Sequence, residues 1–440
     1  MKSDDENDTR VLLMEIREFL KGPDHNELGR QVDPYLEAAR ISMDDQMSSW
    51  SAPVKNRPGW TMAGNIFSTR RSLAKALGTT VQEISDRITD AVEQPSDVTL
   101  RPIPAVYERM DPDDLPLPTY YESDGGPYVT SGIFHAGWEG VFNLSFHRMM
   151  YMGEGKFAVR VVPRHLMTMI KGSRNKGKDL RAVVSIGTDP AALLGGSISL
   201  PYGSDEMRVA SSLHRMSTGE PLSVFSPTDD AGGPLAPVGT EVVLNGRFID
   251  EVAPEGPFVD ITSTMDLSGM SPGEPVFVVD QVLVRKDPIM HILLPGGYEH
   301  FLMMGLPKEP SIGSSVRKVV PQVHAVRLTE GGCCWLHGIV SITKQKEGDG
   351  RNALMAAFTG HPSMKRAIVV DGDIDIFDDK QVEWALATRF QADRDMIVIK
   401  GARGSTLDPS RDRDTGTTSK LGLDATMPLR FQDDFKRLDK

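Results

Sequence analysis

Six prolines fall between Pro95 and Pro118, counting both ends. Proline has no amide hydrogen and clashes with the preceding turn, so neither a helix nor a central strand can run through such a stretch. The chain must change architecture here, and we place a domain boundary in this segment. Upstream, the first 112 residues read mainly as helices. Val11, Leu12, Ile16, Phe19 and Leu20 recur at helical spacing, and Lys21-Gly22-Pro23 stops that helix. Ser72 to Gly78 forms a second helical stretch. A third starts near Thr80 and carries Val81, Ile84, Ile88 and Val92 on one face.

Downstream the texture is different. From about Tyr120 to Asp287, short apolar runs (FAVRVV, RAVVSIG, EVVLNGRFI, EPVFVVDQVLV) alternate with Gly, Pro, Asp and Ser turns. That pattern predicts a β-rich barrel or sandwich, interrupted by a helix near Asp205 to Leu213. The last third alternates strand and helix. AIVVDGDIDIF reads as a strand entering an acidic loop, and KQVEWALATRF as a helix capped by Asp378 or Asp379. Ser405 to Thr418 reads as loop. The 440 residues suffice for about three domains of roughly 150 residues each.

Charge and cysteine content exclude several classes. Lysine and arginine total 49 against 61 acidic residues, a net charge of −12. A broad basic face for nucleic acid is therefore not expected, although a local anion pocket remains open. Two adjacent cysteines, Cys333 and Cys334, supply neither a disulfide framework nor zinc-knuckle spacing. They read as core beside Trp335. The acidic start, MKSDDENDTR, has no apolar signal region, and no apolar run approaches the roughly 20 residues that span a bilayer. We expect a cytoplasmic protein with no membrane contact.

Three motifs suggest chemistry that their context denies. Gly172 to Lys178, GSRNKGK, fits the first seven positions of a phosphate-binding loop. Asp179 then stands where a magnesium-binding hydroxyl is needed, and the run precedes a strand instead of following one. A solvated basic turn is the better reading. Asp371, Asp373 and Asp375 begin like a calcium-binding EF-hand loop, but Ile376 and Val382 occupy its Gly and Glu positions. Aspartates facing water at a strand end suffice. The 22 methionines, Met149, Met150 and Met152 among them, read as adaptable core filler.

Other segments place ligating groups where folding alone does not ask for them. NLSFHR carries Asn143 and Arg148, VVPRHL carries Arg164 and His165, and EVAPEGPF carries Glu255. An amide oxygen, an imidazole and a carboxylate suit Mn²⁺ or Mg²⁺, especially where a phosphate completes the shell. In HILLPGGYEH, Gly296 and Gly297 allow close backbone approach to a ligand, with Glu299 just beyond. A carboxyl group in a dry pocket can donate a proton near neutral pH.

The order and spacing of GNIFSTRRSLAKALG, NLSFHR, RHL, EVVLNG, APEGPF, PGGYEH, EWALATRFQADRD and SKLGLDAT resemble the UbiD family of prenylated-flavin-dependent decarboxylases over nearly the whole chain. LPGGYEHFLMMG and LTEGGCCWLHGIV are most similar to its archaeal-type members. The resemblance implies an α/β and α+β multidomain chain. Its parts would be an N-terminal α/β domain (1–112), a central flavin-reductase-like split β-barrel (113–308), and a linker helix near Ser311 to Val319 with a C-terminal α/β oligomerisation domain (309–440). It also implies prenylated FMN, with Asn143, His165 and Glu255 holding Mn²⁺ (or Mg²⁺) against its phosphate, and K⁺ as an additional cation. Ser145, Arg164 and Lys420 would be further cofactor contacts. Arg148 would grip the substrate carboxylate beside the flavin, and Glu299 would shuttle the proton. The family commonly has a second acid a few positions before that glutamate, and HILLPGG contains none.

The activity so implied is non-oxidative removal of CO₂ from an α,β-unsaturated acid. For archaeal-type members that acid is trans-anhydromevalonate 5-phosphate, giving isopentenyl phosphate for isoprenoid synthesis by a mevalonate route. Its phosphate would need a second cationic clamp, for which Arg70, Arg71, Arg164 and Lys171 are candidates. A 4-hydroxybenzoate-like aromatic acid is the alternative substrate. A split-barrel protein that binds FMN without decarboxylation is the alternative class, and it would need neither Arg148 nor Glu299. A flavin prenyltransferase would supply the cofactor, and the chain would form a homodimer or an assembly of dimers.

Overall fold

The computed structural model describes residues 15–228 and 232–435. Val11 and Leu12 of the first expected helix lie outside them. The chain forms two compact units, Met1–Val81 with Asp90–Phe258 and Leu267–Leu294, and Gln82–Thr89 with Val259–Asp266 and Pro295–Lys440. Both mix helix and sheet.

The first unit is built on a nine-stranded sheet. Its path runs Tyr128–Val129, Met149–Gly153, Lys156–Val159, Glu274–Arg285, Val242–Ala253, Leu180–Ile186, Ile133–Trp138 and Val141–Phe146, with Tyr107–Met110 added beside Glu274–Arg285. Every pairing is antiparallel. No closed barrel is found among the described residues. The two 12-residue strands Val242–Ala253 and Glu274–Arg285 shift register between Asn245 and Gly246. A Cβ on Gly246 would lie 2.2 Å from the Val278 carbonyl oxygen, so only glycine lets the strands cross this closely. On the core face Phe134, Phe248 and Phe277 pack with ring centroids 5.1–5.7 Å apart. Each such side chain contributes roughly 1.5–3 kcal/mol by leaving water.

The helices of this unit begin where side chains can cap them. Asp205 Oδ1 accepts from the Met207 amide at 2.9 Å and opens the helix Glu206–Thr218. Thr69 and Ser72 form a reciprocal capping box at Arg70–Ala76. The expected stretches at 72–78 and 205–213 therefore appear as helices with shifted ends.

The mainly helical reading of the first 112 residues needs correction. Strands His25–Glu27, Ser49–Pro53 and Thr61–Gly64 join Ile289–Ile292 in a four-stranded sheet. These strands are 3–5 residues long, too short to display alternation. One of them pairs with a partner more than 200 residues away (Met290 beside Met62). The GSRNKGK segment is also not simply a turn, since helix His165–Asn175 runs through its first four residues.

The second unit holds a five-stranded sheet in the order Val323–Leu328, His337–Ile342, Arg366–Asp371, Thr417–Ala425, Met396–Arg403. Its three inner strands are parallel and both edges antiparallel. Helices Tyr298–Gly305, Glu309–Arg317, Asp349–Gly360 and Asp379–Arg389 accompany it, the last capped by Asp378. Asp371 and Asp373 do not both face water as expected. The fully buried Arg389 binds both, at 3.2 Å and 2.6–2.9 Å, and also donates to the Phe435 carbonyl. An unpaired buried guanidinium is very costly, which explains why Asp371 is buried, while Asp373 pairs with Arg389 from the exposed side. Cys334 is buried as expected, and Cys333 is half-buried. No helix among the described residues is long and apolar enough to cross a membrane.

Candidate active site

Two side-chain clusters of the first unit gather most of the expected site residues. The first is an ion pair. Arg148 follows the strand Val141–Phe146, and Glu255 follows Val242–Ala253. Arg148 Nε donates to Glu255 Oε1 and Nη2 to Oε2, both at 2.9 Å. The Tyr128 hydroxyl donates to the same Oε1 at 3.0 Å. Glu255 is fully buried, so this bidentate pairing is what makes its charge tolerable. The fit is tight on its far side, where a Cβ on Gly269 would lie 2.4 Å from Glu255 Oε2 and 2.6 Å from its carbonyl oxygen. Gly269→Ala should therefore displace the carboxylate and lower stability by about 1–3 kcal/mol. Chemical denaturation checks this, and an unchanged midpoint would contradict it.

The second cluster surrounds Glu206, the first residue of its helix. Asn143 Nδ2 donates to Glu206 Oε2 at 3.2 Å, the Leu144 amide donates to the same oxygen at 3.1 Å, and His165 Nδ1 lies 3.8 Å from Oε1. Burial pushes the Glu206 carboxyl up to about 7, against the lowering effect of these donors. Burial also lowers the His165 imidazole, with Arg164 adding to the effect. Expectation placed Glu255 beside Asn143 and His165, but no hydrogen bond or ion pair joins it to either one. Its oxygens accept from Arg148 and Tyr128, and the carboxylate beside Asn143 and His165 is that of Glu206.

Ser145 links Asn143 to His147. Its Oγ donates to Asn143 Oδ1 at 2.9 Å and also lies 2.9 Å from His147 Nε2. His147 Nδ1 faces the Arg160 carbonyl at 3.0 Å, which can only accept. Burial pushes this imidazole down to about 4, so it is neutral, with its single hydrogen on Nδ1. Nε2 and Asn143 Oδ1 therefore share the single Ser145 hydroxyl hydrogen. Asn143 and His165 both stand beside the Glu206 carboxylate, a residue set that suits a hard or borderline divalent cation completed by phosphate or water oxygens.

The remaining expected residues scatter. Arg164 precedes helix His165–Asn175 and donates from Nη1 to Ser199 Oγ at 3.1 Å. Arg70 is buried, whereas Arg71 and Lys171 are exposed. In the second unit, Glu299 is buried in the first turn of helix Tyr298–Gly305. A Cβ on Gly296 would meet Ser263 Oγ at 2.7 Å and the Asp260 carbonyl at 3.4 Å, so the turn bearing Asp260 packs against the glycines preceding Glu299. Lys420 is also buried in this unit. Its ammonium donates to the Pro362 and Met364 carbonyls, each at 2.6 Å, and burial lowers its pKa.

The chain belongs to the UbiD family of carboxy-lyases. Three family models described as the N-terminal, Rift-related and C-terminal domains of 3-octaprenyl-4-hydroxybenzoate carboxy-lyase match residues 24–92, 99–298 and 301–425. The chain is 44% identical to anhydromevalonate phosphate decarboxylase of Methanothermobacter thermautotrophicus, over 85% of this chain and 87% of that one. It is 41% identical to the protein so named in Methanosarcina mazei, over 93% and 94%. Among solved structures it is similar to the UbiD-class enzyme HmfF from Pelotomaculum thermopropionicum in complex with FMN, with a TM-score of 0.88 and 33% identity over 97% of each chain. An evolved dimeric form of that enzyme in complex with prFMN is similar at a TM-score of 0.85.

Sequence reasoning missed Glu206 and Tyr128. Glu206 sits in GSDEMR, where Asp205 and Glu206 look like ordinary helix-start acids. Tyr128 lies in GGPYVT with no distinguishing spacing.

Proposed function

We propose that this chain decarboxylates trans-anhydromevalonate 5-phosphate to isopentenyl phosphate and CO₂, using prenylated FMN. The observation carrying the reading is the buried, bidentate Arg148–Glu255 pair, since simple flavin binding has no need of a preset guanidinium. The relatives of that name over most of the chain support the substrate. The finer reading of the nine-stranded sheet is a flavin-reductase-like split barrel. Asn143, His165 and Glu206, instead of Glu255, would hold Mn²⁺ or Mg²⁺ against the cofactor phosphate, with Ser145 and Arg164 beside it. When bound, prenylated FMN supplies the electron sink that no side chain offers for CO₂ loss from an sp² carbon. A flavin prenyltransferase would provide it in the cytoplasm, to a homodimer or an assembly of dimers.

The chain's own groups supply grip and proton. Arg148, paired with Glu255 through Nε and Nη2, orients the substrate carboxylate. Departure of CO₂ leaves a carbon that must take one proton, and Glu299 gives it. Asp260, on the turn packed against Gly296, is the candidate for the second acid that HILLPGG lacks. In anaerobic assays of protein produced with a flavin prenyltransferase, mass spectrometry should detect isopentenyl phosphate from wild type. Glu299→Gln should lose at least about a hundredfold in rate. Wild type that binds prenylated FMN yet yields no product would overturn the substrate.

A further inference from the structure

Arg148 is held by more than its carboxylate. Its guanidinium carbon lies 4.3 Å from the centroid of the Phe258 ring, and that ring lies 4.6 Å from the Tyr128 ring. Tyr128 and Phe258 are both buried, and the Tyr128 hydroxyl is spent on Glu255 Oε1. Their segments are stitched together. The Gly125 amide donates to the Pro257 carbonyl at 2.8 Å, and a Cβ on Gly125 would stand 2.1 Å from the Gly256 oxygen. Tyr128 also pairs with Met150 across the sheet, two residues beyond Arg148.

We infer that Tyr128 and Phe258 are positioning residues that fix the Glu255 carboxylate and the Arg148 guanidinium before substrate arrives. The inference rests on the reading of Arg148 as the carboxylate-gripping group. With two donors on one carboxylate oxygen and an aromatic face against the cation, the pair has few orientations left. An incoming carboxylate therefore meets donors that are already aimed. Burial, and then the charge of Glu255, raises the Tyr128 hydroxyl far above its usual range, so it remains a donor at any working pH.

The test compares Tyr128→Phe and Phe258→Leu with wild type by two measurements. The first is hydrogen exchange at Arg148 Nε–H by NMR of isotope-labelled protein, with the resonance identified by its loss in Arg148→Lys. Exchange should quicken at least about tenfold in Tyr128→Phe. The second is calorimetric affinity, on protein carrying FMN so that no turnover intrudes, for the unsaturated acid and for its decarboxylated product. Both variants should weaken acid binding by about tenfold or more and leave product binding unchanged, because the product has no carboxylate for Arg148. A general loosening of the fold would weaken both ligands equally, and that result would overturn the inference, as would unaltered Nε–H exchange. If wild type binds neither ligand, the substrate reading fails, and the exchange measurement alone decides whether the clamp exists.

Discussion

Arg148→Ala should abolish decarboxylation, with a loss of at least about a thousandfold in kcat/KM, and should also destabilise the fold. The rate loss follows from removing both the grip and the orientation of the reacting carboxylate, where positioning alone can be worth roughly 7–11 kcal/mol. The stability loss follows from Glu255, which is fully buried and would lose both guanidinium bonds. Stripping one partner from a buried pair typically costs roughly 3–5 kcal/mol. The double variant Arg148→Met with Glu255→Gln separates the two effects. Denaturant unfolding should show most of the stability recovered, while turnover stays at the background rate. Near-wild-type turnover in Arg148→Ala would sink the assignment.

Glu206→Gln should lose divalent-metal binding by more than about a hundredfold and at the same time flatten the pH dependence of stability. The ordinary Glu value of 4.5 becomes about 7 in the folded protein, chiefly through burial. A raised carboxyl pKa means that the folded state holds this proton more tightly than the unfolded one. The associated stability is fully present below about 4.5 and is lost as pH rises toward 7, a change of roughly 3 kcal/mol. Metal-free protein should therefore unfold more easily at about pH 8 than at about pH 5, and Mn²⁺ should reverse this by pairing with the carboxylate. Thermal melts with and without Mn²⁺, beside a Mn²⁺ titration, report both effects. Glu206→Gln protein that binds Mn²⁺ as tightly as wild type would rule out Glu206 as a ligand.

What was legible in the sequence was whatever local physics writes there. Asp378 and Asp205 announced their helices, because a cap is a contact between residues two or three apart. The long apolar strands of the middle region declared themselves by length and turn residues. The strands near Ser49 and Thr61 did not, because their stability comes from each other and from Ile289–Ile292. The site followed the same division. Residue types and motif order brought out Asn143, Arg148, His165 and Glu255, but not which carboxylate meets which partner. Glu255 and Glu206 are both acids in unremarkable surroundings, and only the folded sheet pairs one with Arg148 and brings the other to Asn143 and His165. Asp371 misled for the same reason, its partner Arg389 being a helix away.

The separations involved also bear on how the molecule comes to exist. Arg148 and Glu255 are 107 residues apart, Tyr128 and Glu255 127, and Asn143 and Glu206 63. Contacts of such range form slowly, because a large loop must close before they repay the entropy lost. The Arg148–Glu255 cluster therefore forms only after the two 12-residue strands have found their register. Until Glu255 has been made, Arg148 and Tyr128 have no carboxylate to close on, so the clamp cannot form on a shorter nascent chain.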